Sequence, residues 1–276
     1  PFKCTAPHPF EASIFATSGD DKTVRMWHIG GKQCIAMTTS EALPDMSRAL
    51  IFEPTTGDWL VAALGGRLGV RKVGAFGKHA GSIVTLIGKT LKKCATLKVA
   101  KEQIGDMAFT SNGKILAVAS NDQFIYLIHV KGPTKMDKFA KCSGHSSYVT
   151  DISISEDNKW MMTNDGAGEL LFWNVQTGER EPDADEVKNA LWNPNTCPLS
   201  WETIGIWGAS DDLTDINAIE VCDELDLIVT ADDAGTYAVV FFVAVGMRCC
   251  EGCALTRLFS CLLLFLVSCS FRQNKN

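Results

Sequence analysis

The chain has 276 residues, 46% hydrophobic and 21% charged, the balance of an ordinary soluble globular protein. Its formal charge of −6 conceals a split: residues 67–141 hold 14 Lys/Arg against 4 Asp/Glu, whereas residues 151–235 hold 3 against 20. Of its 11 cysteines, Cys4, Cys34, Cys94, Cys142, Cys197 and Cys222 are scattered singly, which argues against a disulfide framework and for a cytosolic protein.

In chain order, an eleven-residue phrase recurs five times: TSGDDKTVRMW at 17–27, VAALGGRLGVR at 61–71, VASNDQFIYLI at 118–128, TNDGAGELLFW at 163–173 and VTADDAGTYAV at 229–239. Each copy begins as an apolar strand, breaks on small and acidic residues, and re-enters a β-rich run. The fifth positions, Asp21, Gly65, Asp122, Ala167 and Asp233, are spaced by 44, 57, 45 and 66 residues. Strand–turn–strand units near that period are the mark of an all-β, WD40-type β-propeller. About five four-stranded blades are predicted, near 1–45, 46–90, 91–142, 143–182 and 183–240, in an incomplete ring. The chain opens at Pro1 with neither an initiator Met nor an apolar leader, and reads as a fragment.

Within the third unit, Ile104 to Phe109, Ile115 to Ala119 and Phe124 to Val130 are predicted strands. Asn112-Gly113 suits a tight hairpin because both residues tolerate positive φ. The fourth unit opens on Gly144-His145 and closes on Phe172-Trp173-Asn174. WD blades carry a hydrogen-bonded chain of His, Ser/Thr, turn Asp and Trp. Here His145, Thr163 and Trp173 are in place, Ala167 stands where the Asp is expected, and Asp165 is the substitute. The first unit has Thr17, Asp21 and Trp27 but no matching His. These six residues are predicted blade staples rather than catalysts, since buried polar groups need partners.

Residues 181–227 exceed what a blade requires and hold Trp192, Trp201 and Trp207. They form either a recognition surface, for which Trp is well suited, or the cover of a propeller edge. No P-loop, GxSxG elbow or HExxH motif is present, and His8, His28, His79, His129 and His145 fall on different repeat elements. No catalytic residue, metal site or cofactor is predicted.

Several stretches resemble the echinoderm microtubule-associated protein-like family: Leu116 to Tyr126, Lys141 to Ser147, Ala190-Leu191-Trp192 with Thr196-Cys197, and above all Gly205-Ile206-Trp207 with Ser210 to Ala218. The resemblance runs over roughly 8–240 and is similar to blades of that family's second propeller. It implies a non-enzymatic, cytoplasmic microtubule-associated protein whose propeller surface binds tubulin or other cytoskeletal partners. A general scaffold for signalling or ciliary complexes, or a tail-anchored adaptor, are the alternatives. In the basic segment 67–141, the candidates for meeting acidic tubulin surfaces are Lys92, Lys93, Lys98 and Lys101. Nucleic acid is not an expected partner.

The tail, 241–276, leaves the family pattern. Its apolar stretch Leu258 to Ser270 falls short of the roughly 20 residues that span a bilayer. Cys250, Cys253, Cys261 and Cys269 supply a CxxC without a second close pair or a His, so zinc is disfavoured. A tail replacing further blades would expose sheet edges and make the chain aggregation-prone.

Overall fold

The computed structural model describes residues 2–30, 33–65, 78–192, 194–201, 203, 206, 216–222, 227–232 and 237–241. The chain divides into two compact units, residues 1–193 and 194–276. The first contains four antiparallel sheets, each a simple meander in sequence order. Sheet one is β1 (Phe2–Pro7), β2 (Ile14–Gly19), β3 (Val24–Gly30) and β4 (Gln33–Thr39). Sheet two is β5 (Ser47–Phe52), β6 (Trp59–Leu64), β7 (Ser82–Ile87) and β8 (Lys93–Lys98). Sheet three is β9 (Ile104–Phe109), β10 (Ile115–Ser120), β11 (Phe124–Val130) and β12 (Met136–Ser143). Sheet four is β13 (Val149–Ile154), β14 (Trp160–Asp165), β15 (Leu170–Asn174) and the short β16 (Arg180–Glu181), followed by α1 (Ala184–Val187).

The second unit holds one sheet of β17 (Ile216–Cys222), β18 (Leu227–Asp232) and β19 (Tyr237–Phe241), so the fifth blade shows three strands among the described residues where four were expected. Sheet two runs to Lys98, past the blade boundary expected near 90, because the outer strand follows β7 across the short turn 88–92.

The recurring phrase is now explained: every copy contains the end of a blade's second strand, and four of the five also reach its third strand within the described residues. In the second copy, Leu64 pairs with Ser82, so the connection between β6 and β7 spans 65–81 and accounts for the spacing of 57. The strand expected at its end, up to residue 71, lies outside the described residues. Gly81 closes that excursion at φ +70°, where a Cβ would lie 2.3 Å from the Ala100 carbonyl oxygen, so only glycine fits.

Why β6 and β10 read as near-continuous apolar runs follows from what covers them. All six residues of β6 and all six of β10 are buried. Side chains alternate faces along a strand, so Leu60, Ala62 and Leu64 pack toward sheet one with Ala16, Met26 and Leu50, while Val61 and Ala63 pack toward sheet three with Leu116, Val118 and Tyr126. Ala117, Ala119 and Leu127 then pack with Ile152, Met161 and Trp173 of sheet four. Among the described residues the core of the first unit forms three apolar layers, each shared by two consecutive sheets. Removing one such side chain, Leu60→Ala for instance, is expected to cost about 2–5 kcal/mol.

The first strands of successive sheets are neighbours: β1 beside β5, β5 beside β9, and β9 beside β13. Each carries a register shift at the same place, between Phe2 and Cys4, Ser47 and Ala49, Ile104 and Asp106, and Val149 and Asp151. The extra residues are Lys3, Arg48, Gly105 and Thr150, and β17 repeats the shift at Asn217. A bulge bends the strand and re-aims its side chains. No sign of this repeat is visible in the residue types, which differ at every copy.

Candidate partner-binding surface

In sheet four, the Trp173 indole donates to Thr163 Oγ1 at 2.8 Å, and the same oxygen lies 2.7 Å from His145 Nε2. Indole is a donor only, so the Thr163 hydroxyl accepts from Trp173; the atoms facing His145 Nδ1 are carboxylate oxygens, which only accept, and this places the imidazole proton on Nδ1 and leaves Nε2 to accept from Thr163. Nδ1 lies 3.3 Å from Asp165 Oδ2 and 3.7 Å from Glu169 Oε2. Burial pushes the His145 pKa down, against the pull of these two carboxylates, and keeps the ring neutral. Burial also works to raise the Asp165 carboxyl, but the amides of Glu169 and Ala167 outweigh it and the net shift is downward. Asp165 Oδ1 accepts those amides at 2.9 and 3.0 Å, Oδ2 accepts the Ser147 amide at 3.1 Å, and Glu169 Oε2 accepts the Ser146 amide at 2.8 Å.

His145, Asp165 and Glu169 bring three ligand-type atoms within 4.8 Å of one another. Their carboxylates are committed to backbone amides on both sides of the blade opening, which is the chemistry of a staple. Asp165 rather than Ala167 holds the imidazole. The fourth turn spans 166–169 against 121–123 in the third, so a fixed offset along the phrase overshoots the carboxylate.

Sheet one keeps half of the network. Trp27 Nε1 donates to Thr17 Oγ1 at 2.8 Å. Asp21 does not join it: its carboxylate caps its own turn through the Thr23 amide at 3.1 Å and pairs with Arg25 at 2.6 Å. In sheet three, Asp122 takes the equivalent turn, accepting from Tyr126 Oη at 2.9 Å and from the Lys101 amide at 2.9 Å. Asn112 is not in the left-handed region either. Only Gly113 is, at φ +67°, while Asn112 Oδ1 accepts the Lys114 amide at 3.0 Å.

The four basic candidates do not form one patch. Lys92 and Lys93 sit at the start of β8, whereas Lys98 and Lys101 lie at and beyond its other end. At about 3.3 Å per residue, the length of β8 separates the two pairs by about 17 Å. All four residues are exposed. The Lys98 ammonium is drawn onto the Ala80 carbonyl, so its charge is partly spent within the blade.

The tryptophans separate as well. Trp192 is not a surface residue: it is 6% exposed, with its ring 6.2 Å from that of Phe172 and its backbone bridged to Ser155. Within the second unit Trp201 is 42% exposed. Trp207 lies outside the described residues, as do most of the acidic phrase that follows it, Asp233, and the tail at 242–276. Among the described residues no helix is long and apolar enough to cross a membrane.

One electrostatic feature escaped sequence reasoning. Asp106 and Asp151 follow the bulges on neighbouring strands β9 and β13, and Asp106 Oδ2 accepts the Ile152 amide at 2.9 Å. Burial pushes Asp106 up to about 6; burial, reinforced by the nearby Asp106 charge, pushes Asp151 up to about 7. Only the packing of two sheets brings these carboxyls together.

Four-stranded meanders that share apolar layers and are stapled by a His–Thr–Trp network define a WD-type β-propeller protein. The β-propeller domain of Cps50 (Swd1) from Myceliophteria thermophila is similar in fold, with a TM-score of 0.56 over 85% of this chain and 68% of that one at 15% identity. The family model for the echinoderm microtubule-associated protein second beta-propeller matches residues 3–244, and the chain belongs to that family. It is 33% identical over 231 residues to echinoderm microtubule-associated protein-like 2 of Mus musculus, covering 83% of this chain and 33% of the relative. It is 31% identical over 230 residues to echinoderm microtubule-associated protein-like 4 of Xenopus laevis, covering 83% and 23%. The 77 kDa echinoderm microtubule-associated protein of Lytechinus variegatus is 30% identical over 231 residues, covering 83% and 32%. The chain therefore spans about a third or less of the length of these relatives.

Proposed function

We propose that this chain is a non-enzymatic display propeller that binds microtubules or tubulin in the cytoplasm. The observation that carries the reading is the family match over 3–244, whose members are named for microtubule association. The charge distribution supports it: exposed lysines gather on sheets two and three, where an acidic partner is attracted and steered. The sheet-four network also supports it, because the Asp165 and Glu169 carboxylates are committed to backbone amides that hold the blade together. Co-sedimentation of the chain with stabilised microtubules is the test, with pelleting expected to fall as salt rises. Absence from the pellet at low salt overturns the reading. Changing Lys92, Lys93, Lys98 and Lys101 together to Glu is expected to reduce pelleting.

A further inference from the structure

We infer that one rim of sheets two and three is a docking surface for an acidic, extended peptide segment. In a meander, the turn after the first strand and the turn after the third emerge at the same end. For sheet two these are 53–58 and 88–92, and for sheet three 110–114 and 131–135. The two sheets share that end, because a Cβ on Gly113 would lie 2.6 Å from Glu53 Oε1. The link is tightened by Thr85 of β7, whose hydroxyl donates to the Pro133 carbonyl at 2.6 Å and accepts the Ala95 amide at 3.1 Å. This bond lays the 131–135 turn of sheet three against sheet two.

The rim so assembled carries Lys89, Lys92, Lys93, Lys114, Lys131 and Lys135, all exposed. Among the described residues none of these lysines is in an ion pair. Opposing charge comes from Asp58, whose carbonyl accepts the Gly88 amide at 2.7 Å, and from Asp137 on β12. Glu53 adds little outward, since both carboxylate oxygens are taken by Thr55 and Thr56. The same rim turns acidic at sheet four with Glu156, Asp157 and Glu179, which bounds the positive field.

The chemistry favours a peptide over a nucleic acid. The turns 88–92 and 131–135 contain no aromatic residue on which a base would stack and no Arg fork for a phosphate. What they offer is a row of flexible ammonium groups, suited to glutamate or aspartate side chains. The assignment rests on the microtubule reading for the partner's identity but not for its chemistry.

The test is a fluorescence anisotropy titration of the 276-residue chain with a labelled oligoglutamate of about ten residues. Binding is expected, weakening as salt rises. The variant Lys92→Glu/Lys131→Glu/Lys135→Glu is expected to lose at least about tenfold in affinity. The control Lys141→Glu/Lys188→Glu, reversed at the end of β12 remote from the 131–135 turn and just beyond α1, is expected to stay within about twofold. Thermal melts verify that both variants fold; should the triple reversal fail to fold, Lys131→Gln/Lys135→Gln replaces it, with a smaller loss in the same direction. No binding at low salt, equal losses in variant and control, or tighter binding of a thymidine oligonucleotide overturns the inference. Microtubule pelleting is read separately: peptide binding lost in the triple variant while the parent chain fails to pellet leaves the rim standing and removes the microtubule reading.

Discussion

The Trp173 indole and the Thr163 hydroxyl meet at 2.8 Å inside sheet four, and the same pairing recurs at 2.8 Å between Trp27 and Thr17 in sheet one. In both, the Thr lies on the second strand and the Trp on the third. The first pair is buried and extended by His145, whereas the second is only part-buried.

That difference sets an expected order of stabilities. Thr163→Val strands a buried indole N–H and removes the partner of His145, at a cost of about 2–3 kcal/mol. Thr17→Val strands a partly solvated indole and costs about 1 kcal/mol. Denaturant melts of the two variants check the ranking, and equal losses would show that the His145 branch contributes nothing.

Asp165, not the phrase position Ala167, anchors the fourth blade. Asp165→Ala leaves the His145 Nδ1–H and the amides of Ser147, Ala167 and Glu169 without their carboxylate, and is expected to destabilise by about 2–4 kcal/mol. Adding Ala167→Asp to that variant is expected to recover little. Chemical denaturation of the single and double variants measures both effects.

Asn158 occupies the turn position of sheet four that Gly113 occupies in sheet three, at φ +60° against +67°. Its Oδ1 accepts the Ser111 amide at 2.6 Å, tying one sheet to the next. Asn158→Ala loses both the tolerance of positive φ and the side-chain bonds to Ser111 and Glu156, at about 1–2 kcal/mol. Asn158→Gly loses only the side-chain bonds and is expected to cost less. Thermal shifts of the pair distinguish backbone from side chain.

The Asp106–Asp151 pair predicts a pH dependence of definite sign. Both folded-state values, about 6 and about 7, lie above the ordinary aspartate value of 3.8, so the folded chain holds protons that the unfolded chain releases. Their contribution is fully present below pH 3.8 and is lost as pH rises through about 6 and about 7. Asp151→Asn is expected to flatten the fall in melting temperature between about pH 4 and 7. An unchanged pH profile would show that the two carboxyls do not titrate in this window.

Trp192 and Trp201 are expected to differ on truncation. Trp192→Ala opens a cavity beside Phe172 and costs about 3–5 kcal/mol. Trp201→Ala, at 42% exposure, is expected to cost less than Trp192→Ala. Melting curves check both.

Read by itself, the sequence determined the blades. Near-continuous apolar runs in β6 and β10, short acidic turns and the spacing of Trp after Thr are local features, because a strand's two faces and its hairpin partner lie within a few residues of it. Family membership was legible for the same reason, in contiguous phrases. Only the tertiary structure decided which groups from different sheets meet. The lysines of 67–141 look like one basic segment in the chain, yet β8 carries two of its candidates to one end and the Thr85–Pro133 bond brings Lys131 and Lys135 toward Lys92 and Lys93. Trp192 and Trp201 fall in the same stretch of sequence, but Trp192 is covered by Phe172 in space. Asp106 and Asp151 are 45 positions apart and become neighbours through the packing of β9 on β13. Hairpin pairing is governed by nearby residues, whereas burial and electrostatic neighbourhood depend on which strand the next blade lays alongside.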